Sequence, residues 1–188
     1  KRRQAAAQLD WKVMEELPPL KMEKARFVTV VEKLDEAGWN EHGFDGVYFT
    51  VATNPNSPQG PINKIASGGE LARFMLALKV NLAQSSAVST MIFDEVDAGV
   101  GGATAQAVGE RLARLAQDVQ VLVVTHSPQV ASKGDNHFKV EKNTVDNVTT
   151  TSVRELDDIE RHEEIARMLA GEKITDEARA AARVLIGA

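Results

Sequence analysis

Two short apolar runs, residues 88–96 and 119–124, bracket a stretch at 102–117 whose apolar residues recur at helical spacing. Strands with so little polar alternation are poorly suited to leaving one face in water. Strand, helix, strand in this order therefore predicts a parallel sheet covered on both faces and an α/β fold. The other segments are compatible with that frame. Residues 4–17 are rich in Ala, Leu, Glu and Gln and predict a helix that Pro18-Pro19 ends, because proline disfavours helical geometry in the residue before it. Aromatic and β-branched residues at 25–31 and 47–53 predict two strands, and the link 36–46, with three glycines, predicts a turn or loop. With three prolines in eight residues, 54–61 is expected to hold no regular element. Residues 70–83 predict a helix with a glycine-rich entry, its apolar stripe being Leu71, Met75, Leu78 and Leu82. Alternation at 137–142 and 148–156 around Thr144-Val145-Asp146-Asn147 predicts an antiparallel hairpin. Helices at 157–170 and 175–186 follow, with Gly171 as the stop between them.

Composition narrows the class. With 188 residues, 43% hydrophobic and 26% charged, the chain can enclose one real core. The absence of cysteine removes disulfide scaffolds, thiolate metal sites and a cysteine nucleophile, and fits a reducing cytoplasm. A net charge of −5, from 22 basic against 27 acidic residues, argues against a domain-wide phosphate-binding surface. No uncharged apolar run of about 18 residues is present, so no membrane partner is expected.

Three places can carry chemistry. Met91-Ile92-Phe93-Asp94-Glu95 puts two adjacent carboxylates at the end of an apolar strand, the edge where open α/β folds bind ligands. There one acid can hold Mg²⁺ and the next can orient or deprotonate a water; equally, the pair can be solvated acids opening a loop. Ser67-Gly68-Gly69-Glu70 enters a helix, where free amides and the helix dipole favour an anion; equally, Ser67 can simply cap the helix. His126 follows the run Val121-Leu122-Val123-Val124-Thr125 and shares the edge of Asp94 and Glu95 if the two strands are neighbours. His42, His137 and His162 have no comparable setting.

Taken together and in this order, the three resemble the C-terminal half of an ABC-type ATPase head. Ser67-Gly68-Gly69-Glu70 is similar to the signature motif, Met91 to Glu95 to the Walker B strand, Val96-Asp97-Ala98-Gly99 to the D-loop, and His126 to the switch histidine. Longer strings resemble the bacterial RecN family of DNA repair proteins, relatives of the SMC proteins. They are Lys64 to Arg73, Leu76-Ala77-Leu78-Lys79, Ile92 to Gly102, Thr125 to Ala131, Met22 to Phe27 and Val51 to Pro55, and the likeness covers nearly the whole chain. Ala66 stands where many ABC proteins carry leucine, and Thr90 interrupts the apolar run before Asp94. No Gly-x-x-x-x-Gly-Lys-Ser/Thr string occurs, so the loop that wraps the β- and γ-phosphates is missing.

The resemblance implies a mainly parallel sheet flanked by helices with an antiparallel hairpin. Residues 1–17 would be the returning end of a coiled coil and 18–188 the C-terminal lobe of the head. It implies two heads sandwiching two ATP molecules. Asp94 would hold Mg²⁺ mainly through water, Glu95 would be the general base and His126 would sense the γ-phosphate. Ser67, Gly68 and Gly69, with Glu70 completing the motif, would clamp the γ-phosphate of the opposite head, and Asp97 would connect the two sites across the interface. The implied partners are the N-terminal lobe, a second head and DNA, in the cytoplasm at the bacterial nucleoid. This chain by itself is expected to be inactive. The rivals are the nucleotide-binding subunit of an ABC transporter and a non-catalytic dimerisation and DNA-bridging module. Lys1-Arg2-Arg3 is a DNA-contact candidate that can equally be a solvated charge run.

Overall fold

The computed structural model describes residues 1–83, 88–145, 148–171 and 173–187. Its first helix, α1 (Arg2–Glu16), stops where the prolines require, in a 3₁₀ turn at Pro18–Leu20 closed by Lys21 in the left-handed region. Val13, Leu17 and Leu20 are fully buried there with Phe27, Val51, Phe74 and Leu76. Polar ties fix the helix to the body. Asp10 accepts a hydrogen bond from the Thr29 backbone N–H at 2.8 Å. Glu16 accepts from Arg111 Nε at 3.0 Å and from Arg114. Arg2, in the candidate basic run, is engaged with Asp45 and the His42 carbonyl.

β1 (Arg26–Lys33) pairs antiparallel with β2 (Asp45–Ala52), Phe27 opposite Val51. The proline-rich segment holds more order than its composition predicts. Gly60–Pro61 forms a two-residue strand, β3, on Thr50–Val51, and one helical turn, α2 (Ile62–Ile65), follows. Pro61 is tolerated because β3 is an edge strand, where a missing N–H costs little.

α3 (Gly68–Leu82) buries Phe74, Leu76, Ala77 and Leu78. Of the stripe read from spacing only Leu78 is buried, while Met75 and Leu82 are exposed. The buried face is centred on Phe74, which packs against Phe27 at a ring-centroid distance of 6.4 Å.

β4 (Thr90–Asp94), α4 (Gly102–Leu115) and β5 (Gln120–Val124) form the strand–helix–strand unit, with β4 and β5 parallel. Met91, Phe93, Val121 and Val123 face the core. The expectation of cover on both faces is corrected: on the other face Ile92 is 70%, Leu122 46% and Val124 57% exposed. The described helices cover one side only, and the apolar character of the strands exceeds what the described elements bury.

α5 (Pro128–Ala131) lies against α4 at Gly109, where a Cβ would come within 3.0 Å of the Gln129 carbonyl oxygen and 3.2 Å of Val130 Cα. These are backbone atoms and cannot rotate away. Gly109→Val is therefore expected to destabilise the fold by about 2 kcal/mol in chemical denaturation, against no loss if α5 can drift freely.

The hairpin of β6 (Phe138–Val145) and β7 (Val148–Glu155) forms in full register, Val140 opposite Val153. The Asp146-Asn147 part of its predicted turn lies outside the described residues. α6 (Asp158–Ala170) starts with a capping box of Asp157 and Glu160, and α7 (Asp176–Ile186) with a Thr175 cap. Gly171 separates them at φ +78. Their small core of Ile165, Ala166, Ala178 and Ala182 reaches the main body through Ala131.

Candidate functional site

The parallel register decides what meets at the carboxyl edge of β4 and β5. Asp94 lies opposite Val124, and the Glu95 N–H donates to the Val124 carbonyl at 3.1 Å, carrying the pairing one residue further. The strands are neighbours, so the Asp94-Glu95 pair and the Thr125-His126 segment leave the sheet side by side. Asp94, Glu95 and His126 are exposed, and their side chains have no hydrogen bond or ion pair among the described residues. Glu95 adopts φ +48, a left-handed conformation that a residue with a Cβ occupies only at a cost. It turns the chain sharply: Ala98 N–H donates to the Glu95 carbonyl at 2.9 Å and Val100 N–H to the Asp97 carbonyl at 3.2 Å. Gly99 (φ +74) and Gly102 (φ +53) complete the path into α4.

Asp97 is the exception at this edge. Its side chain is buried, with 1% of the residue exposed, and accepts a hydrogen bond from the Thr125 hydroxyl. The Thr125 oxygen in turn accepts from the Ser127 N–H at 2.9 Å. Thr125 is the residue that sequence reading missed; its only signal was a hydroxyl at the end of an otherwise apolar strand.

Ser67 does cap α3. Its hydroxyl donates to Glu70 Oε2 at 2.8 Å, its N–H donates to the same oxygen at 3.0 Å, and Glu70 N–H donates back to the hydroxyl at 3.4 Å. Capping and anion binding are not exclusive here, because Gly68 faces open space. Gly69 sits against the loop after β4: a Cβ there would lie 3.1 Å from the Ala98 carbonyl oxygen. The glycine turn thus packs on the 97–99 loop, and that loop is tied to the end of β5. Beside Gly69 lies Arg73, whose guanidinium pKa is lowered by burial, with Glu70 pulling the other way; its Nε is buried without an acceptor.

Among the described residues no group of three His, Cys, Asp or Glu is placed to chelate a metal. Free carboxylates at Asp94 and Glu95 instead suit a cation that keeps most of its ligands from water and phosphate, as Mg²⁺ does. The remaining histidines stand elsewhere: His42 in the β1–β2 link, His162 on α6 with Nδ1 at 2.6 Å from the Asp158 carbonyl, and His137 before β6, its pKa lowered by burial. A groove lined by Trp11, Lys12, Glu16, Asn81 and Arg114 shares no residue with this edge. No described helix is long and apolar enough to cross a membrane.

No family model matches the sequence. Curated relatives do. The DNA repair protein RecN of Rickettsia bellii is 46% identical over 187 residues, 99% of this chain and 34% of that protein. RecN of Xylella fastidiosa strain 9a5c is 50% identical over 145 residues, 77% of this chain and 26% of its own length. The chain thus spans at most about a third of the length of these relatives. Among solved structures, a chain from work on ATP-driven dimerisation and DNA-stimulated activation of SMC ATPases superposes with a TM-score of 0.53 at 15% identity, covering 90% of this chain and 96% of that one. The likeness to that structure is one of fold. Identity of 46% over 99% of the chain, together with the α/β head architecture, means that this chain belongs to the RecN family and corresponds to the C-terminal part of its members.

Proposed function

We propose that this chain is the C-terminal lobe of an ATP-hydrolysing head that serves recombinational repair of DNA double-strand breaks at the bacterial nucleoid. In this reading ATP closes two heads around two nucleotides, hydrolysis opens them, and the dimer holds or bridges DNA. The observation that carries it is the register of β4 and β5, which sets free acids beside a free imidazole, with the Ser67–Gly69 turn packed on the loop between.

Each residue then has a task. Glu95 takes the proton of the attacking water, for which its unpaired, exposed carboxylate is suited. Asp94 would hold Mg²⁺, which would supply positive charge against the triphosphate. His126 contacts the γ-phosphate and registers its departure. Ser67, Gly68 and Gly69 offer the open helix start to the γ-phosphate of the opposite head, with Glu70 holding the turn in shape. Gly99, exposed at the tip of the 97–99 loop, crosses the interface, and Asp97 anchors that loop from beneath. Strained backbone at Glu95 favours catalysis over a purely bridging role, since such strain clusters at active sites.

The phosphate-wrapping loop comes from an N-terminal lobe, which would pack on the bare face at Ile92, Leu122 and Val124. α1 is the returning end of the coiled coil that connects the two. The test is the mass of the full-length head in light scattering. A non-hydrolysable ATP analogue with Mg²⁺ is expected to double it, and a mass unchanged at saturating nucleotide contradicts the sandwich.

A further inference from the structure

A carboxylate withdrawn from water as completely as Asp97 needs donors, and this one has a single side-chain donor, the Thr125 hydroxyl. Among the described residues its second oxygen, Oδ1, is buried with no partner, and no cation pairs with it. The Thr125 hydroxyl spends its one hydrogen on Asp97 Oδ2 and accepts from the Ser127 N–H at 2.9 Å. Glu95 lies two residues before Asp97, and His126 one residue after Thr125. Among the described residues this hydroxyl is the only side-chain hydrogen bond joining the loop that leaves β4 to the loop that leaves β5.

The backbone explains why such a link matters. Glu95 sits at φ +48, a conformation that persists only when its surroundings over-determine it. Two main-chain hydrogen bonds hold the residue from either side, one from its own N–H to Val124 and one from Ala98 N–H to its carbonyl. The Asp97–Thr125 bond adds a third constraint, and only this one ties the acid's loop to the histidine's loop through side chains.

We propose that Thr125 is a positioning residue of the ATPase. Through Asp97 its hydroxyl fixes Glu95 relative to His126, and the Asp97 carboxylate acts within its own chain. This rests on the nucleotide reading above, with Glu95 as base. Valine keeps the shape of Thr125 but leaves Asp97 with no donor, whereas serine keeps the hydroxyl.

The test is steady-state ATP hydrolysis by a full-length RecN protein carrying this segment, with melting temperatures recorded alongside. Thr125→Val is expected to lower kcat about ten- to a hundredfold, since a small displacement of a catalytic group is amplified in rate. KM for ATP should stay within about twofold, because ground-state binding is not what the hydroxyl supports. Thr125→Ser is expected to restore most of the rate. If Thr125→Val does not fold, Thr125→Cys, a weaker donor of similar size, should show a smaller loss of kcat at unchanged KM. Wild-type kcat in the valine variant or, where that cannot fold, in the cysteine variant overturns the proposal, as does an equal loss in the serine and valine variants. Glu95→Gln separates the two layers. If it hydrolyses ATP like the wild type, the reading of Glu95 as base fails; if it is inactive while Thr125→Val is unimpaired, only the positioning role fails.

Discussion

Replacing Glu95 with glutamine in a head that has both lobes is expected to cut ATP turnover by about 10²–10⁴-fold, the usual contribution of a general base. The same variant should accumulate as ATP-bound dimers that no longer open. The substitution is conservative in every respect but one. Glutamine has the size of glutamate and the same tolerance for the left-handed backbone at this position, and the carboxylate it replaces makes no hydrogen bond or ion pair among the described residues. Folding should therefore be unaffected, and what is lost is the capacity to accept a proton from water. Phosphate release and light scattering on the same sample read the two halves of the prediction. Turnover that survives the change removes Glu95 from its role, whatever the dimers do.

The parts of this molecule legible in its sequence are those governed by local rules. Pro18-Pro19 ended α1, Gly171 separated α6 from α7, and the apolar runs at 88–96 and 119–124 marked β4 and β5, because chain stiffness and periodicity act over a few residues. What sequence could not supply is what depends on packing between distant segments. The stripe on α3 was misread because burial follows Phe74 and its contact with Phe27, 47 residues away, and not the leucine spacing. The bare face of β4 and β5 was read as covered because apolar strands report that a face will be buried, not which chain buries it. Asp97 was expected at an interface by its place in a motif, yet its side chain points inward to Thr125, a partner 28 residues on that no spacing rule suggests. That the Asp94-Glu95 pair and His126 would share one edge was legible, on the one condition that their strands be neighbours. Asp94, Glu95 and His126 had only to stand at strand ends, and the parallel register did the rest. The basic run at the N-terminus shows the opposite case: Arg2 is occupied by Asp45 and the His42 carbonyl, which favours the ordinary reading of that charge.

The central claim is that this edge is half of a nucleotide site, whose other half lies on a lobe that the sequence does not contain. Acids and an imidazole accelerate hydrolysis only when the phosphates are held against them, and effective concentrations gained by such positioning reach about 10⁵ M or more. This sequence holds no Gly-x-x-x-x-Gly-Lys-Ser/Thr string to wrap the β- and γ-phosphates of ATP. The measurement that addresses this most directly is phosphate release from Mg²⁺-ATP by this chain, by the N-terminal lobe of a RecN protein, and by the two mixed. The account predicts background rates for each alone and turnover at least about a hundredfold above either when they associate. Hydrolysis by this chain alone at the rate of the mixture, or a stably associated pair that remains at background, would contradict it.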